Sequence, residues 1–89
     1  MDIQALRQEI DTIDDQLVQL FCQRMAVAAK IADYKKQQNL PIHHPGRELE
    51  VLQKVGNLAE LELEFYTKDL YSKIFTLSKD YQTKRNNCG

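Results

Sequence analysis

Three long cationic side chains occupy positions at which an amphipathic helix would be expected to carry apolar residues. Arg7, Arg24 and Lys35 share a spacing of three or four residues with the apolar side chains of the same segment, and this spacing is typical of a helix face that packs against other structure. The remaining members of this stripe are Ile3, Ile10, Asp14, Leu17, Phe21, Ala28 and Ile31. A buried cation is costly unless an anion neutralises it. Because the stripe holds too few acids to pair all three cations, we expect an anionic ligand; the alternative is that the cations extend from the edge of the stripe into water.

The spacing of these cations along the predicted helix indicates the size of the ligand. Arg24 and Lys35 are eleven residues apart, so they differ by about 20° in direction and lie about 16 Å apart along the axis. A ligand about 8 Å across could contact both long side chains. Arg7 lies about 25 Å from Arg24 along the same axis. An antiparallel two-fold pairing would bring Arg7 of one subunit near Arg24 and Lys35 of the other.

Four further residues could contact such a ligand. Arg47 and Glu48 follow Pro45 at the predicted start of a second helix, and Ser78 and Gln82 are four residues apart on one face of a third. Each pair also has a purely structural interpretation. Glu is favourable near a helix N-terminus, and two polar residues such as Ser78 and Gln82 are common on the surface of a helix.

Two adjacent histidines, His43 and His44, precede Pro45. No cluster of cysteines or acids completes a metal-ligand set beside them. We therefore expect no metal site, and we expect both imidazoles to lie in solvent.

The elements that must position these residues are helical. The segment from Asp2 to Asn39 contains no Pro or Gly, which predicts one long helix capped by Asp2 and ended before Pro41. Such a helix would be roughly 57 Å long, more than the diameter of a globule of this size. The chain is also short enough to gain considerably from oligomerisation. We therefore expect an intertwined two-fold dimer.

Two shorter helices are predicted downstream. The second begins at Pro45 and is weakened at Gly56, a break falls between Glu60 and Leu63, and the third covers residues 64–84. The predicted buried face of the second helix is Leu49, Leu52, Val55 and either Leu58 or Ala59. On the third helix the predicted buried face is Leu70, Ile74, Leu77 and Tyr81, beside a second stripe of Tyr71, Phe75, Ser78 and Gln82. Residues 85–89 are predicted to fray, and the whole is expected to be one all-α domain over residues 1–89.

Composition restricts the class of ligand. The 12 Lys and Arg residues are balanced by 13 Asp and Glu residues, which argues against a nucleic-acid partner. The sequence has no apolar run long enough to span a membrane and no signal-peptide core. Cys22 and Cys88 lack metal-type spacing, so we interpret both as free thiols of a cytoplasmic protein.

The order and spacing of the candidate residues resemble those of the all-helical chorismate mutases, the AroQ class. The resemblance runs from about Ile3 to Gln82 and is carried by LRQEIDTIDDQLVQLFCQRMAVAAKIADYKK, LPIHHPGRELEVL and LYSKIFTLSKDYQ. The matching positions are Arg7, Arg24, Lys35, Arg47, Glu48, Ser78 and Gln82. No single motif is distinctive, but these positions across three helices are specific together.

The resemblance implies an intertwined homodimer that forms a six-helix bundle with two active sites. It also implies conversion of chorismate to prephenate, a Claisen rearrangement on the route to phenylalanine and tyrosine. This pericyclic reaction requires no nucleophile, metal or cofactor. It requires a flexible dianion held in a compact shape, with hydrogen-bond donors where charge grows on the breaking ether oxygen.

The resemblance also assigns residue roles. Arg7 from the second subunit and Arg24 would bind the two carboxylates, because the guanidinium fork suits carboxylate geometry. Arg47 and Ser78 would assist at the rim of the pocket.

The remaining assigned roles concern the reacting atoms and the ring. Lys35 and Gln82 would donate to the ether oxygen, and Glu48 would accept from the ring hydroxyl. The sequence departs from many relatives at His44, where they carry Asp, and Gly46 adds flexibility nearby. If position 44 contributes its backbone N–H to substrate binding, the exchange is tolerable, whereas a required carboxylate would mean weaker activity.

Two other functions fit part of the pattern. An isochorismate pyruvate-lyase of the same fold would use a similar cationic pocket, but Glu48 argues against it because those lyases tend to have an apolar residue there. A non-catalytic helical dimerisation module would explain the apolar stripe. It would not explain cations and Gln82 at positions that face the interior of the bundle.

Overall fold

The computed structural model describes residues 2–88, and three α-helices account for most of them. Helix α1 covers Ile3–Gln37, α2 covers Pro45–Leu58 and α3 covers Glu64–Cys88. A 3₁₀ turn at Leu61–Leu63 joins α2 to α3. The all-α prediction is therefore confirmed, and the predicted break between the second and third helices coincides with this turn. The side chain of Cys88, which we interpreted as a free thiol, lies outside the described part of the structure.

Both ends of α1 are fixed by specific caps. The Asp2 carboxylate accepts a hydrogen bond from the backbone N–H of Gln4 at 3.1 Å, as predicted for an N-cap. At the other end Asn39 has a positive φ of 56°, and the N–H groups of Leu40 and Asn39 donate to the carbonyls of Lys35 and Lys36 at 2.8 and 3.3 Å. This is a Schellman motif with Asn in the left-handed position. The helix therefore ends through backbone geometry at Asn39, before Pro41 imposes its own restriction.

The prediction of a frayed tail after Lys84 is wrong, because α3 continues to Cys88. Arg85 donates two hydrogen bonds to the Asp33 carboxylate, at 3.0 and 3.1 Å, and the Lys36 ammonium donates to the carbonyl of Asn86 at 3.0 Å. The hydrogen bond from Arg85 holds the pKa of Asp33 below its usual range. These contacts join the ends of α1 and α3, which are distant in sequence, so local composition could not reveal them. Gly89 lies outside the described residues.

Helix α3 packs against both other helices. Successive contacts pair Ala28 with Gln82 and Asp33 with Arg85, so α1 and α3 run in the same direction. Lys79 pairs with Glu48 and Lys68 lies beside Gly56, so α2 runs antiparallel to α3. Within the described residues α1 and α2 come no closer than 8 Å between Cα atoms. A cleft therefore remains between α1 and α2, with α3 as its floor.

The face that α2 presents to α3 is shifted from the predicted one. In the single chain Val55 is buried as predicted and Gly56 is buried beside it, whereas Leu49 and Leu58 of the predicted face are exposed. At Gly56 the side chain of Lys68 occupies the space that a Cβ would require. The glycine therefore leaves room for the Lys68 side chain against α2, and α2 continues past it to Leu58.

The residues that α3 buries within a single chain also differ from the predicted face. Phe75, Ser78 and Gln82 are buried, whereas Leu70, Leu77 and Tyr81, three of the four predicted core residues, are exposed in the single chain. The buried stripe packs against the small side chains of α1, which are Ala28, Ala29 and Ala32. Small residues let the two helices approach closely, and this places polar groups of α3 beneath the cleft.

The two halves of α1 differ sharply in burial. Residues 21–37, the packed half, contain every buried residue of α1, whereas residues 3–20, the bare half, are exposed throughout. Leu17 and Leu20 remain 55% and 61% exposed, and Arg7, predicted to face a bundle interior, is exposed in the single chain. The radius of gyration is 16.1 Å, against about 12 Å for a compact domain of this length. No described helix is long and apolar enough to cross a membrane.

Candidate active site

The cleft between α1 and α2 has a volume of about 810 Å³, within the range of small-molecule sites. It lies beside the packed half of α1 and over the buried polar stripe of α3. Its charged and polar lining residues are Gln23, Arg24, Lys35, His44, Arg47, Glu48, Glu50, Ser78, Lys79 and Gln82. Seven of the eight residues predicted to form the site therefore line one cavity, and the exception is Arg7.

Arg24 is held against aromatic side chains of α3. Its guanidinium carbon lies 5.7 Å from the centroid of the Tyr71 ring and 5.9 Å from that of Phe75. Cation–π attraction of this kind orients a guanidinium without neutralising it. No acid of the described chain forms an ion pair with Arg24, so its hydrogen-bond donors remain available to an anion.

Lys35 is half-buried at the end of the cleft where α1 stops. Its ammonium donates to the carbonyl of Ile42 at 2.8 Å. The Schellman motif at Asn39 turns the chain back toward α1, and the turn makes this contact possible. An ammonium has three donors, so two remain free after the contact with Ile42. Lys35 likewise forms no ion pair with an acid among the described residues.

Gln82 and Ser78 lie one helical turn apart on the buried stripe of α3. The Gln82 amide nitrogen donates to the carbonyl of Ala28 at 2.9 Å. This bond uses one of the two amide hydrogens and fixes the amide at the edge of the cleft. Both residues are more than nine-tenths buried, with 9% of Ser78 and 6% of Gln82 exposed. The second amide hydrogen of Gln82 is left for a ligand.

His44 and Arg47 form the N-terminus of α2. The Nδ1 atom of His44 accepts a hydrogen bond from the backbone N–H of Arg47 at 3.0 Å, so the imidazole caps the helix. An Asp at this position could make the same kind of capping bond, which gives a physical reason for the exchange at position 44. The Arg47 side chain is exposed and pairs with Glu50 at 3.3 Å. As expected, His43 and His44 are both exposed.

Glu48 pairs with a residue that sequence analysis missed. Its Oε2 atom lies 3.0 Å from the ammonium of Lys79 on α3, and its Oε1 atom lies 3.7 Å from Nε2 of His43. Lys79 precedes Gln82 by three residues, so helical spacing alone could have placed it on the same side as Gln82. Its pairing with Glu48 depends on how α2 packs against α3, which no local pattern reveals.

The charges of the cleft leave a defined excess. Arg24, Lys35, Arg47 and Lys79 line it together with two acids, Glu48 and Glu50. Each acid is paired with one cation, Glu48 with Lys79 and Glu50 with Arg47. The two cations that remain without an acidic partner in the described chain are Arg24 and Lys35. The cleft therefore suits a ligand with two negative charges.

Comparison with known proteins decides the family. Residues 6–83 match the model of chorismate mutase type II. The chain belongs to the chorismate mutase type II family. The resemblance carried by the candidate residues is thus confirmed over nearly the whole chain.

Individual relatives agree with this assignment. The chain is 35% identical over 74 residues to a bifunctional chorismate mutase/prephenate dehydratase of Aquifex aeolicus, covering 83% of this chain and 18% of the relative. It is 41% identical over 51 residues to the T-protein of Haemophilus influenzae, covering 57% of this chain and 14% of the relative. It is 31% identical over 55 residues to a chorismate mutase of Methanocaldococcus jannaschii, covering 62% of this chain and 56% of the relative.

The chain spans less than a fifth of the length of the Aquifex and Haemophilus relatives. No solved structure matches the chain significantly.

Proposed function

We propose that this chain is a chorismate mutase that rearranges chorismate to prephenate. The observation that carries the proposal is the pair of cations without acidic partners, Arg24 and Lys35, in the cleft of a chorismate mutase type II domain. Chorismate carries two carboxylates, so its charge is complementary to this excess. The size of the cleft also suits a molecule of this class.

In the proposed reaction a C–O bond of the enolpyruvyl ether breaks while a new C–C bond forms to the ring. Negative charge accumulates on the ether oxygen as the C–O bond lengthens. Lys35 and Gln82 each retain donors after their contacts with Ile42 and Ala28, and they would stabilise that charge. Both side chains are already fixed by those contacts, so little reorganisation would be required as the reaction proceeds.

The remaining residues of the cleft would hold the substrate in its reactive shape. Arg24, fixed against Tyr71 and Phe75, would bind one carboxylate through its guanidinium fork. Arg47 and Ser78 would contact the substrate at the rim of the cleft. Holding the two reacting ends close together removes much of the entropic barrier.

We also propose that the functional unit is a homodimer. The bare half of α1 carries apolar side chains that no described residue covers, among them Ile10 at 56% and Leu17 at 55% exposed. An antiparallel second copy would bury them and would bring its Arg7 to the cleft. Arg7 would then supply the second guanidinium for the dianion.

Loss of chorismate absorbance on addition of purified protein tests the proposed reaction. We expect prephenate to accumulate in step with the loss. Parallel incubation with isochorismate should release no salicylate or pyruvate, and release of both would favour the lyase. Because a neutral amide donates at any ordinary pH, the turnover supported by Gln82 should persist between about pH 5 and 8.

Mixing two inactive variants tests the shared site. Arg7→Ala and Lys35→Ala chains should each be inactive alone, whereas each mixed dimer would hold one intact site. Random mixing in equal amounts should restore about a quarter of the parental activity. An absence of recovery, with mixed dimers shown to form, would mean that Arg7 does not act across the interface.

A further inference from the structure

We infer that Lys79 is a positioning residue that orients the Glu48 carboxylate toward a hydroxyl of the bound ring and cancels its charge. The inference rests on the proposed function, because it assigns to Glu48 the ring hydroxyl of chorismate. The observation behind it is the 3.0 Å contact between the Lys79 ammonium and Oε2 of Glu48 in the wall of the cleft.

The pair differs from the exposed ion pair between Lys84 and Asp80 of the same helix. The side chains of Lys79 and Glu48 are 34% and 25% exposed, whereas those of Lys84 and Asp80 are 74% and 59% exposed. The exposed pair joins neighbouring turns of α3, while Lys79 and Glu48 join two helices. Partial burial reduces screening by solvent, so loss of the Lys79–Glu48 pair should have a larger energetic effect than loss of the Lys84–Asp80 pair.

The geometry leaves one carboxylate oxygen free to accept a hydrogen bond. Lys79 contacts Oε2, while the group nearest to Oε1 among the described ion pairs is His43 at 3.7 Å, beyond hydrogen-bond distance. A ring hydroxyl that enters the cleft can therefore donate to Oε1. Lys79 restricts the rotation that would otherwise turn this oxygen away.

The contact between Lys79 and Glu48 also determines the net charge of the cleft that the substrate enters. With Lys79 present, the negative charge of Glu48 is matched within the wall, and Arg24 and Lys35 face the dianion. Without Lys79, Glu48 becomes an unpaired carboxylate in a cleft that must accept two more. Removal of Lys79 should therefore weaken substrate binding by repulsion as well as by loss of orientation.

These two effects predict a specific kinetic pattern. Lys79→Met should lower kcat/KM for chorismate roughly tenfold, chiefly through a higher KM. Lys79→Arg should retain most of the parental value, since it restores the cation. In a Glu48→Gln background, which has no carboxylate to orient or neutralise, Lys79→Met should change kcat/KM by less than about twofold.

The experiment measures both constants for the parent, the three single variants and the Glu48→Gln/Lys79→Met double variant, with thermal unfolding of each. Lys84→Met is the matched control, since it removes a lysine of α3 that is ion-paired outside the cleft, and it should behave like the parent. A chorismate analogue that lacks the ring hydroxyl provides a second readout. With this analogue the effect of Lys79→Met should fall, because only the charge effect remains. Lys79→Gln replaces Lys79→Met if the latter does not fold.

The outcomes separate the inference from the function on which it rests. A parent that leaves chorismate unchanged overturns the proposed function and this inference with it. A parent that turns chorismate over, together with a Lys79→Met variant of unchanged KM and kcat, overturns the inference alone. Equal losses in the Glu48 and Glu48→Gln backgrounds would also overturn it, because they would show that Lys79 acts independently of that carboxylate.

Discussion

The packed and bare halves of α1 belong to one uninterrupted helix, yet they have opposite surroundings. The packed half contacts α3 through Ala28, Ala29 and Ala32 and carries two cations into a cleft. The bare half carries larger apolar residues, such as Ile10 and Leu17, and all of its residues are exposed in the single chain. The half with the smaller side chains is thus the one that its own chain buries.

This difference shows that apolar periodicity predicts burial without identifying the partner. Small residues suit the close approach of α3 within the chain, whereas long apolar side chains on the bare half suit a second surface. Arg7 and Arg24 occupy the same stripe of the same helix, and only Arg24 contacts the cleft of its own chain. The proposed dimer accounts for both observations.

The largest expected effect comes from the packed half of α1 and the helix beneath it. Lys35→Ala or Gln82→Ala should each lower kcat by roughly 10²–10³, the usual effect of removing a donor to developing charge. Steady-state kinetics with chorismate would measure the loss. Lys30→Ala, which removes an exposed lysine of the same half of α1, is the control and should leave kcat unchanged. A full-rate Lys35→Ala enzyme would exclude its role at the ether oxygen.

Substitutions in the bare half should weaken dimer association rather than slow the reaction itself. Ile10→Glu or Leu17→Glu should raise the dimer dissociation constant at least about 100-fold, because a charge would enter an apolar interface. Sedimentation velocity over a concentration series would detect the shift. Gln8→Glu adds the same charge on the opposite side of the helix and should leave the dimer intact. A parent that sediments as a monomer would contradict the proposed assembly.

A smaller effect is expected where the end of the packed half meets α3. Arg85→Ala should lower the Tm by no more than a few degrees at neutral pH, since the pair is exposed. The Asp33 carboxyl has a folded-state pKa below its ordinary value of 3.8, so its contribution is present above that value and is lost as the pH falls through the lowered folded-state pKa.

Thermal melts between neutral and acidic pH test this dependence. The Tm difference between the parent and Arg85→Ala should shrink and then disappear as Asp33 is protonated. Lys84→Ala, at an exposed pair within α3, should show almost no Tm difference at any pH. A gap between the parent and Arg85→Ala that widened in acid would contradict the assignment.

The smallest effect is expected at the residue that ends α1. Asn39 has a φ of 56°, which glycine adopts more easily than alanine does. Asn39→Ala should therefore destabilise the fold by about 1 kcal/mol, while Asn39→Gly should be neutral or slightly stabilising. Denaturant titration would measure both. Gln38→Ala is the control at the neighbouring position with negative φ, and equal effects at 38 and 39 would argue against a cap at Asn39.

Local patterns were sufficient for the helices and for much of the candidate site. Asp2, Pro45 and the break before Glu64 are signals that act on neighbouring residues, and all three predictions were confirmed. The buried faces of α2 and α3 were predicted less well. Leu70 and Leu77 were assigned to the core because they are apolar, but both are exposed in the single chain. The polar Ser78 and Gln82 are buried instead, beside the alanines of α1.

The sequence alone did not predict the ion pairs between residues on different helices. Arg85 was assigned to a frayed tail, and Lys79 was not singled out at all. Each pairs with an acid on another helix, Asp33 and Glu48 respectively. Side-chain chemistry alone does not choose between the many possible partners of a lysine or arginine. That choice requires the rotation and offset of packed helices.

The sequence by itself determined three helices, a family and a set of cations placed within an apolar stripe. These follow from interactions over a few residues, such as caps, helical periodicity and the geometry around proline. Tertiary structure alone decided that Arg24 and Lys35 keep their charge free while Lys79 is paired with Glu48 on another helix. The distances between charges on different helices depend on packing, and electrostatic interactions change steeply with those distances.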